Sequence, residues 1–242
     1  MQNNEIAALF NKAAATYDKQ WERMAPIRDT IHLLMEAIFV ELPENANILC
    51  VGAGTGAELI QLAQMFPSWT FTAVDPSEAM LAVCAQRLEE LGLAERCTLH
   101  CGYLESLEPG GVFNAATALL VSQFLLDKTA RIQFFESIAK RLLPGGFLVS
   151  SDLSADLDSP ADLALMKVWF RVMKAGGLNQ EDIEKMHAAY RNDVAVLPEA
   201  DVRRIIELGG FEFPTVFFQS GLIRAWYSKK AHCLAAPTAE IL

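Results

Sequence analysis

The chain has 242 residues, 52% of them hydrophobic and 21% charged, enough for one large domain with a substantial core. A net charge of -10 argues against DNA or RNA binding, which needs a clustered basic face. No apolar run approaches the ~20 residues of a membrane span, and five irregularly spaced cysteines fit a reducing cytoplasm better than a disulfide framework.

In chain order, Asn3 to Ala15 and Pro26 to Val40 carry apolar residues at helical spacing, among them Ile31, Leu34, Met35 and Ile38. The opening MQNNEIAALF lacks the basic start and long apolar stretch of a secretory signal, so none is expected. Asn47 to Val51, bounded by glycine, predicts a buried strand, and Ala57 to Met65 a helix. Trp69 to Asp75 predicts a second strand, and Ser77 to Leu91 a helix with Ser77 as its N-cap. CTLHC (Cys97 to Cys101) and Val112 to Val121 follow as strands three and four. Thr129 to Leu143 reads as a helix closed by PGG, and Gly146 to Leu153 as strand five. Such alternation predicts an α/β fold with a doubly wound, mostly parallel sheet.

After Ser159 the pattern changes. Two helical stretches run to Tyr190, split at GGLNQ, and a further helix covers Pro198 to Leu208. TVFFQSG and LIRAWYSKK then read as a hairpin turning at Gly221, which brings the sheet to seven strands. The expected organisation is one domain: an N-terminal helical lid (1–45), a core (46–153), a helical cap (154–197), a last helix and hairpin (198–230), and an unassigned tail (231–242). Because the cap enters after strand five, it is expected over the carboxyl ends of the strands, where ligands bind in this class of sheet.

ILCVGAGTGAELI joins strand one to the next helix through glycines at 52, 54 and 56. Without a Cβ these residues turn sharply and let a ligand approach the backbone. The spacing is GxGxG, whereas the dinucleotide fingerprint is GxGxxG. A nucleoside with an amino-acid arm needs the close backbone but no seat for a pyrophosphate. Asp75 stands at the end of strand two, about twenty residues past the loop, the distance at which a carboxylate reaches ribose hydroxyls. It would otherwise serve as a helix-capping aspartate before Pro76.

VGAGTG, AVDPSEAM and RLLPGGFLVSSDL, in this order, resemble the class I S-adenosylmethionine (SAM)-dependent methyltransferases, with S-adenosylhomocysteine as product. The resemblance implies Gly52, Ala53 and Gly54 along the methionine arm, Asp75 on the ribose, and Pro76 and Met80 beside the adenine. Tyr103 stands where the family usually has an aspartate for the adenine amine, leaving stacking and the Leu104 N–H. The Val121 and Ser122 carbonyls are implied as acceptors for the ammonium of SAM, with Gln123 and Phe124 along the route to the methyl group. Cys50 occupies the place of an acidic residue that helps to hold that ammonium; a plain core residue is the alternative. AATYDKQW resembles the family's lid and implies contact between Tyr17 and the ligand, with Trp21 near it.

For the chemistry, His187 and Tyr190 share a helix face and Arg191 lies four residues after His187, a set suited to binding a carboxylate or removing a proton. A solvated helix face is the alternative. No metal site is expected, since Cys97 and Cys101 would face one side of a strand and His100 the other. LLVSQFLLD, LMKVWFRVMKAGGLNQEDIEKM and the terminal hairpin are also similar to the carboxy-SAM synthases of tRNA wobble-uridine modification, which join SAM to a carboxylate derived from prephenate. Here Arg191 is shifted from that family's cap arginine, and Leu119 replaces its asparagine. The expected function is methyl transfer from SAM to a small molecule. A carboxy-SAM synthase, a non-catalytic SAM-binding protein and an NAD-dependent oxidoreductase are the alternatives. Neither nucleic acid nor membrane is expected as a partner, and a homodimer is compatible with the sequence.

Overall fold

A computed structural model describes residues 3–108, 112–175 and 179–231. Its helices are α1 (Asn3–Ala13), α2 (Tyr17–Gln20), α3 (Ala25–Phe39), α4 (Ala57–Met65), α5 (Glu78–Glu90), α6 (Lys128–Arg141), α7 (Pro160–Ala175), α8 (Gln180–Asn192) and α9 (Glu199–Leu208). Strands β1 (Asn47–Val51), β2 (Thr70–Asp75), β3 (Cys97–Cys101), β4 (Phe113–Leu119) and β5 (Leu142–Leu153) pair in parallel. The edge strand β6 (Phe211–Ser220) and β7 (Ile223–Lys230) form an antiparallel hairpin, and β7 also runs antiparallel to β5. The sheet order is β3-β2-β1-β4-β5-β7-β6.

β1 is apolar on both faces because it lies in the middle of this sheet. Its Ile48 and Cys50 join one core layer with α3, α4 and α5, while Leu49 and Val51 join the other with α6 and α9. Helices on both faces are what a parallel sheet requires. The strand order reverses between β1 and β4, and that switch point opens the crevice at the carboxyl ends of the strands.

Three details depart from the sequence reading. α6 stops at Arg141, and LLPGG begins β5 instead of closing the helix. There the pairing jumps from Phe113–Leu142 to Ala115–Phe147, a bulge that Pro144, with no N–H, and Gly145, at φ +72°, accommodate. β6 starts at Phe211, four residues before the predicted TVFFQSG, with Pro214 tolerated because the strand is an edge.

The cap helices α7 and α8 pack over the end of β5. Trp169, Phe170, Met173, Ile183 and Tyr190 form a third core with Leu153, Leu222 and Ile223, and with Met24 and Ile31 of the N-terminal segment. The turn at Gly221 (φ +56°) is pressed so closely on the cap that a Cβ there would stand 2.3 Å from Trp169 Cε3. Arg23 donates to the Ala175 carbonyl at the end of α7, so lid and cap are tied together. The middle of the GGLNQ split and nearly all of the tail, residues 176–178 and 232–242, lie outside the described residues.

Candidate active site

The turn from β1 into α4 carries three residues in the left-handed region, Gly52 (φ +68°), Gly54 (φ +54°) and Gly56 (φ +80°). Gly52 and Ala53 donate their N–H groups to the Val74 carbonyl at 2.7 and 3.2 Å, which ties the loop to the end of β2. Asp75 follows at once. Its Oδ2 accepts the Gly54 N–H and its Oδ1 the Ser77 N–H, both at 2.8 Å. Burial raises its carboxyl pKa, and those two bonds oppose the rise. Ser77 in turn caps α5 by accepting the Met80 N–H at 3.2 Å.

Two cavities meet at this loop. The first, ≈ 340 Å³, is lined by residues singled out from the sequence: Tyr17, Gly52, Gly54, Asp75, Pro76, Met80, Tyr103 and Leu104, and also Val121 and Phe124. The second, ≈ 150 Å³, lies on the far side of the loop and takes in Ala53, Trp21, His32, Glu58 and Ser151. Tyr17, Gly52, Gly54, Leu119 and Leu120 border both. Leu120 is held at φ +58°, unusual for a branched residue, with its N–H on the Ser151 carbonyl at 2.7 Å. That conformation at the end of β4 keeps its side chain at the junction of the two spaces.

The first cavity fits a nucleoside. Each Asp75 oxygen accepts one N–H and keeps a lone pair for a sugar hydroxyl. Met80, Leu104 and Phe134 supply apolar walls for a base. A Cβ built on Gly54 would meet nothing within 4 Å, so the bare backbone borders open space that a ligand arm can follow.

The N-terminal segment roofs both cavities and is latched twice. Asn11 Oδ1 accepts from Ser77 Oγ at 2.8 Å and from the Ala79 N–H at 3.1 Å. Asp18 accepts from Thr55 Oγ1 at 2.8 Å and pairs with Arg87 at 3.2 Å, while the same Arg87 nitrogen donates to the Thr55 carbonyl at 3.0 Å. Between the latches, burial and the charges of Asp18, Glu58 and Asp75 push the Tyr17 hydroxyl up to about 12, so it keeps its proton.

Other predicted residues stand elsewhere. Ser122 lines neither cavity: its hydroxyl donates to Asp152 at 2.8 Å and accepts from Arg131 at 2.8 Å, and its carbonyl accepts the Leu125 N–H at 3.0 Å. The Val121 carbonyl accepts the Phe124 N–H at 3.2 Å, so both predicted ammonium acceptors are engaged in a 3-10 turn. Gln123 is likewise committed, its Oε1 accepting the Leu153 N–H at 2.7 Å. The cap set does not assemble. Tyr190 is buried, accepts from Trp169 Nε1 at 3.1 Å and has its hydroxyl pushed up to about 12 by burial. His187 is exposed and stacked on Phe170 at 3.6 Å, Arg191 is exposed, and none of the three lines either cavity.

Sequence reasoning passed over Glu58, Asp18, Asn11 and His32. Burial, reinforced by Asp75, raises the Glu58 carboxyl to about 7, and burial, followed by the Glu58 charge, raises the Cys50 thiol. A carboxylate thus faces the base of the loop from α4 rather than from position 50. An acidic residue in the first turn of a helix is so common that only its burial sets it apart.

A methyltransferase domain family matches residues 48–146. The chain is 29% identical over 161 residues to the biotin biosynthesis bifunctional protein BioHC of Teredinibacter turnerae, covering 64% of this chain but only 27% of that protein. It is 22% identical over 235 residues to the carboxy-S-adenosyl-L-methionine synthase of Campylobacter hominis, covering 94% of this chain and 97% of that one. A putative O-methyltransferase structure from Nostoc punctiforme shares the fold at a TM-score of 0.64 and 17% identity, over 91% of this chain and 60% of that one. The matched domain spans the glycine loop and Asp75, the two features that shape the first cavity. Over residues 48–146 the chain is thus similar to a methyltransferase domain, carried on the doubly wound sheet described above.

Proposed function

We propose that the protein binds SAM in the first cavity and directs its methyl group to a small molecule in the second. The observation that carries this reading is that the two spaces share a border at Gly52 and Gly54, with Leu119 and Leu120 lining both. A bound sulfonium supplies an activated methyl group and its own leaving group. The chain then has to orient the acceptor within ~3 Å of the methyl and keep water out. Leu119, Leu120, Met24, Ile31 and Ile223 form such a dry wall. Tyr17, protonated throughout the neutral range, closes the roof. The small second cavity, bordered by the N-terminal segment, favours a small acceptor over a nucleic acid, as does the net charge of -10.

Calorimetry with SAM, S-adenosylhomocysteine and NAD tests the cofactor, and mass spectrometry of small-molecule mixtures incubated with methyl-labelled SAM tests the transfer. Saturable SAM binding with label moving to a small molecule is expected. Tight NAD binding without a SAM signal overturns the reading.

The end-to-end similarity to a carboxy-SAM synthase favours a second reading, in which SAM itself is the acceptor and prephenate the other substrate. The exposed position of Arg191, away from both cavities, supports methyl transfer over it. Incubation with SAM and prephenate separates the two: a SAM product heavier by one carboxylate would establish the second.

A further inference from the structure

Two buried polar side chains border the second cavity with nothing to bind. Glu58, in the first turn of α4, is 6% exposed, and apart from its own backbone N–H its carboxyl group has no hydrogen-bond partner among the described residues. His32, on α3, is 5% exposed and likewise makes no hydrogen bond among the described residues. Neither side chain has its polar atoms sealed away from the cavity that both line, so a ligand entering it can satisfy them.

The surrounding charges say which kind. Glu58 is faced by Asp75 at the end of β2, Arg87 of α5, the thiols of Cys50 and Cys84, and the Tyr17 hydroxyl. Arg87 is already paired with Asp18, and Arg28, which also borders the cavity, is paired with Asp29 at 2.8 Å. His32 is held neutral, since burial and then Arg28 lower it to about 4. Among the described lining residues no cation is left unpaired, whereas one carboxyl group is. A metal ion is a poor fit, because no group of three His, Cys, Asp or Glu side chains converges among the described residues.

We infer that Glu58 is the counter-charge for a primary ammonium group seated at the glycine-loop end of the second cavity. Burial, with Asp75, holds the unliganded carboxyl near neutrality, and an arriving cation would draw its proton off. An ammonium has two possible sources, the amino-acid arm of the cofactor or an amine on the acceptor. The first rests on the SAM-binding function proposed above.

The test compares the wild type with Glu58→Gln. Both are titrated near pH 7, in buffers of different ionisation enthalpy, with S-adenosylhomocysteine and with 5′-methylthioadenosine, which lacks the amino-acid arm. Butylammonium is then added to each nucleoside-loaded protein. The Glu58 carboxyl carbon is followed by ¹³C NMR. If the cofactor is the source, S-adenosylhomocysteine releases about half a proton from the wild type and binds Glu58→Gln about tenfold more weakly, while 5′-methylthioadenosine binds both alike. If the acceptor is the source, S-adenosylhomocysteine binds both alike, and butylammonium binds the S-adenosylhomocysteine-loaded wild type but not the variant. Unchanged affinities with no ligand-induced drop in the Glu58 midpoint overturn the inference. Should neither nucleoside bind the wild type, the SAM reading fails by itself, and the response of the Glu58 midpoint to butylammonium still decides the seat. That NMR readout needs only the wild type to stand if the variant does not fold.

Discussion

Asp75 and Gly54 are bonded directly, the carboxylate Oδ2 accepting the loop N–H at 2.8 Å. The group assigned to the sugar therefore also sets the curvature of the loop along which the arm would lie. Asp75→Asn replaces one of two accepting oxygens by a donor, so either Gly54 or Ser77 loses its partner. S-adenosylhomocysteine should bind about 10- to 100-fold more weakly by calorimetry, the size expected for one or two charge-assisted bonds. Undiminished binding would separate Asp75 from the ligand.

Two neighbouring glycines should respond differently to alanine. At Gly54 the new methyl meets nothing within 4 Å, leaving a left-handed backbone cost of about 1–2 kcal/mol but a group in the path of the ligand arm. At Gly52 it would stand 2.4 Å from Val121 Cγ2, adding about 1–3 kcal/mol of overpacking. Urea denaturation should rank Gly52→Ala as the less stable, while Gly54→Ala loses nucleoside binding with its fold largely intact.

Asp18 latches the N-terminal roof through Thr55 and Arg87. The ion pair is partly exposed, so Asp18→Ala should cost under ~1 kcal/mol of global stability. The roof should nevertheless open more often. Stopped-flow tryptophan fluorescence, reporting through Trp21, should show nucleoside dissociation faster by about fivefold, the equivalent of ~1 kcal/mol.

Arg131 and Asp152 form a fully buried pair at 3.0 Å, and Arg131 also donates to the Ala195 carbonyl at 3.1 Å, joining α6 and β5 to the segment that follows α8. Removing one partner strands the other charge. Asp152→Ala should lose about 3–5 kcal/mol in urea, whereas an apolar pair, Arg131→Met with Asp152→Leu, should lose less.

Glu58 and His32 give the unliganded protein opposing pH dependences. The Glu58 carboxyl rises from 4.5 unfolded to about 7 folded, so the native state binds the extra proton and stability falls as pH climbs between those values. His32 falls from 6.5 to about 4, so its contribution is present above 6.5 and is lost as pH drops toward 4. Glu58→Gln removes only the first. Its stability relative to wild type should therefore improve with pH up to about 7, by on the order of 2–3 kcal/mol in denaturant titrations.

Much of the architecture is legible in the chain because its signals are local. Ala57–Met65 and Cys97–Cys101 are predicted to the residue, since each lies between clear turn signals and has one dominant periodicity. LLPGG misleads for the opposite reason: proline and glycines normally end a helix, and only pairing with β4 turns them into a strand bulge. The cap set His187, Tyr190 and Arg191 shares a helical neighbourhood, but the packing of α8 on α7 sends Tyr190 to Trp169 and leaves the other two outside.

The order of strands and helices, the glycine turn and the carboxylate at the end of β2 follow from sequence alone, because each depends on neighbours within one or two elements. Which polar groups are left without a partner was decided by tertiary structure. Ser122 is consumed by Arg131 and Asp152, whereas Glu58 and His32, brought to one cavity from α4 and α3, have no hydrogen bond beyond Glu58's own N–H among the described residues. Burial and pairing are sums over segments far apart in the chain, and no window of sequence contains them.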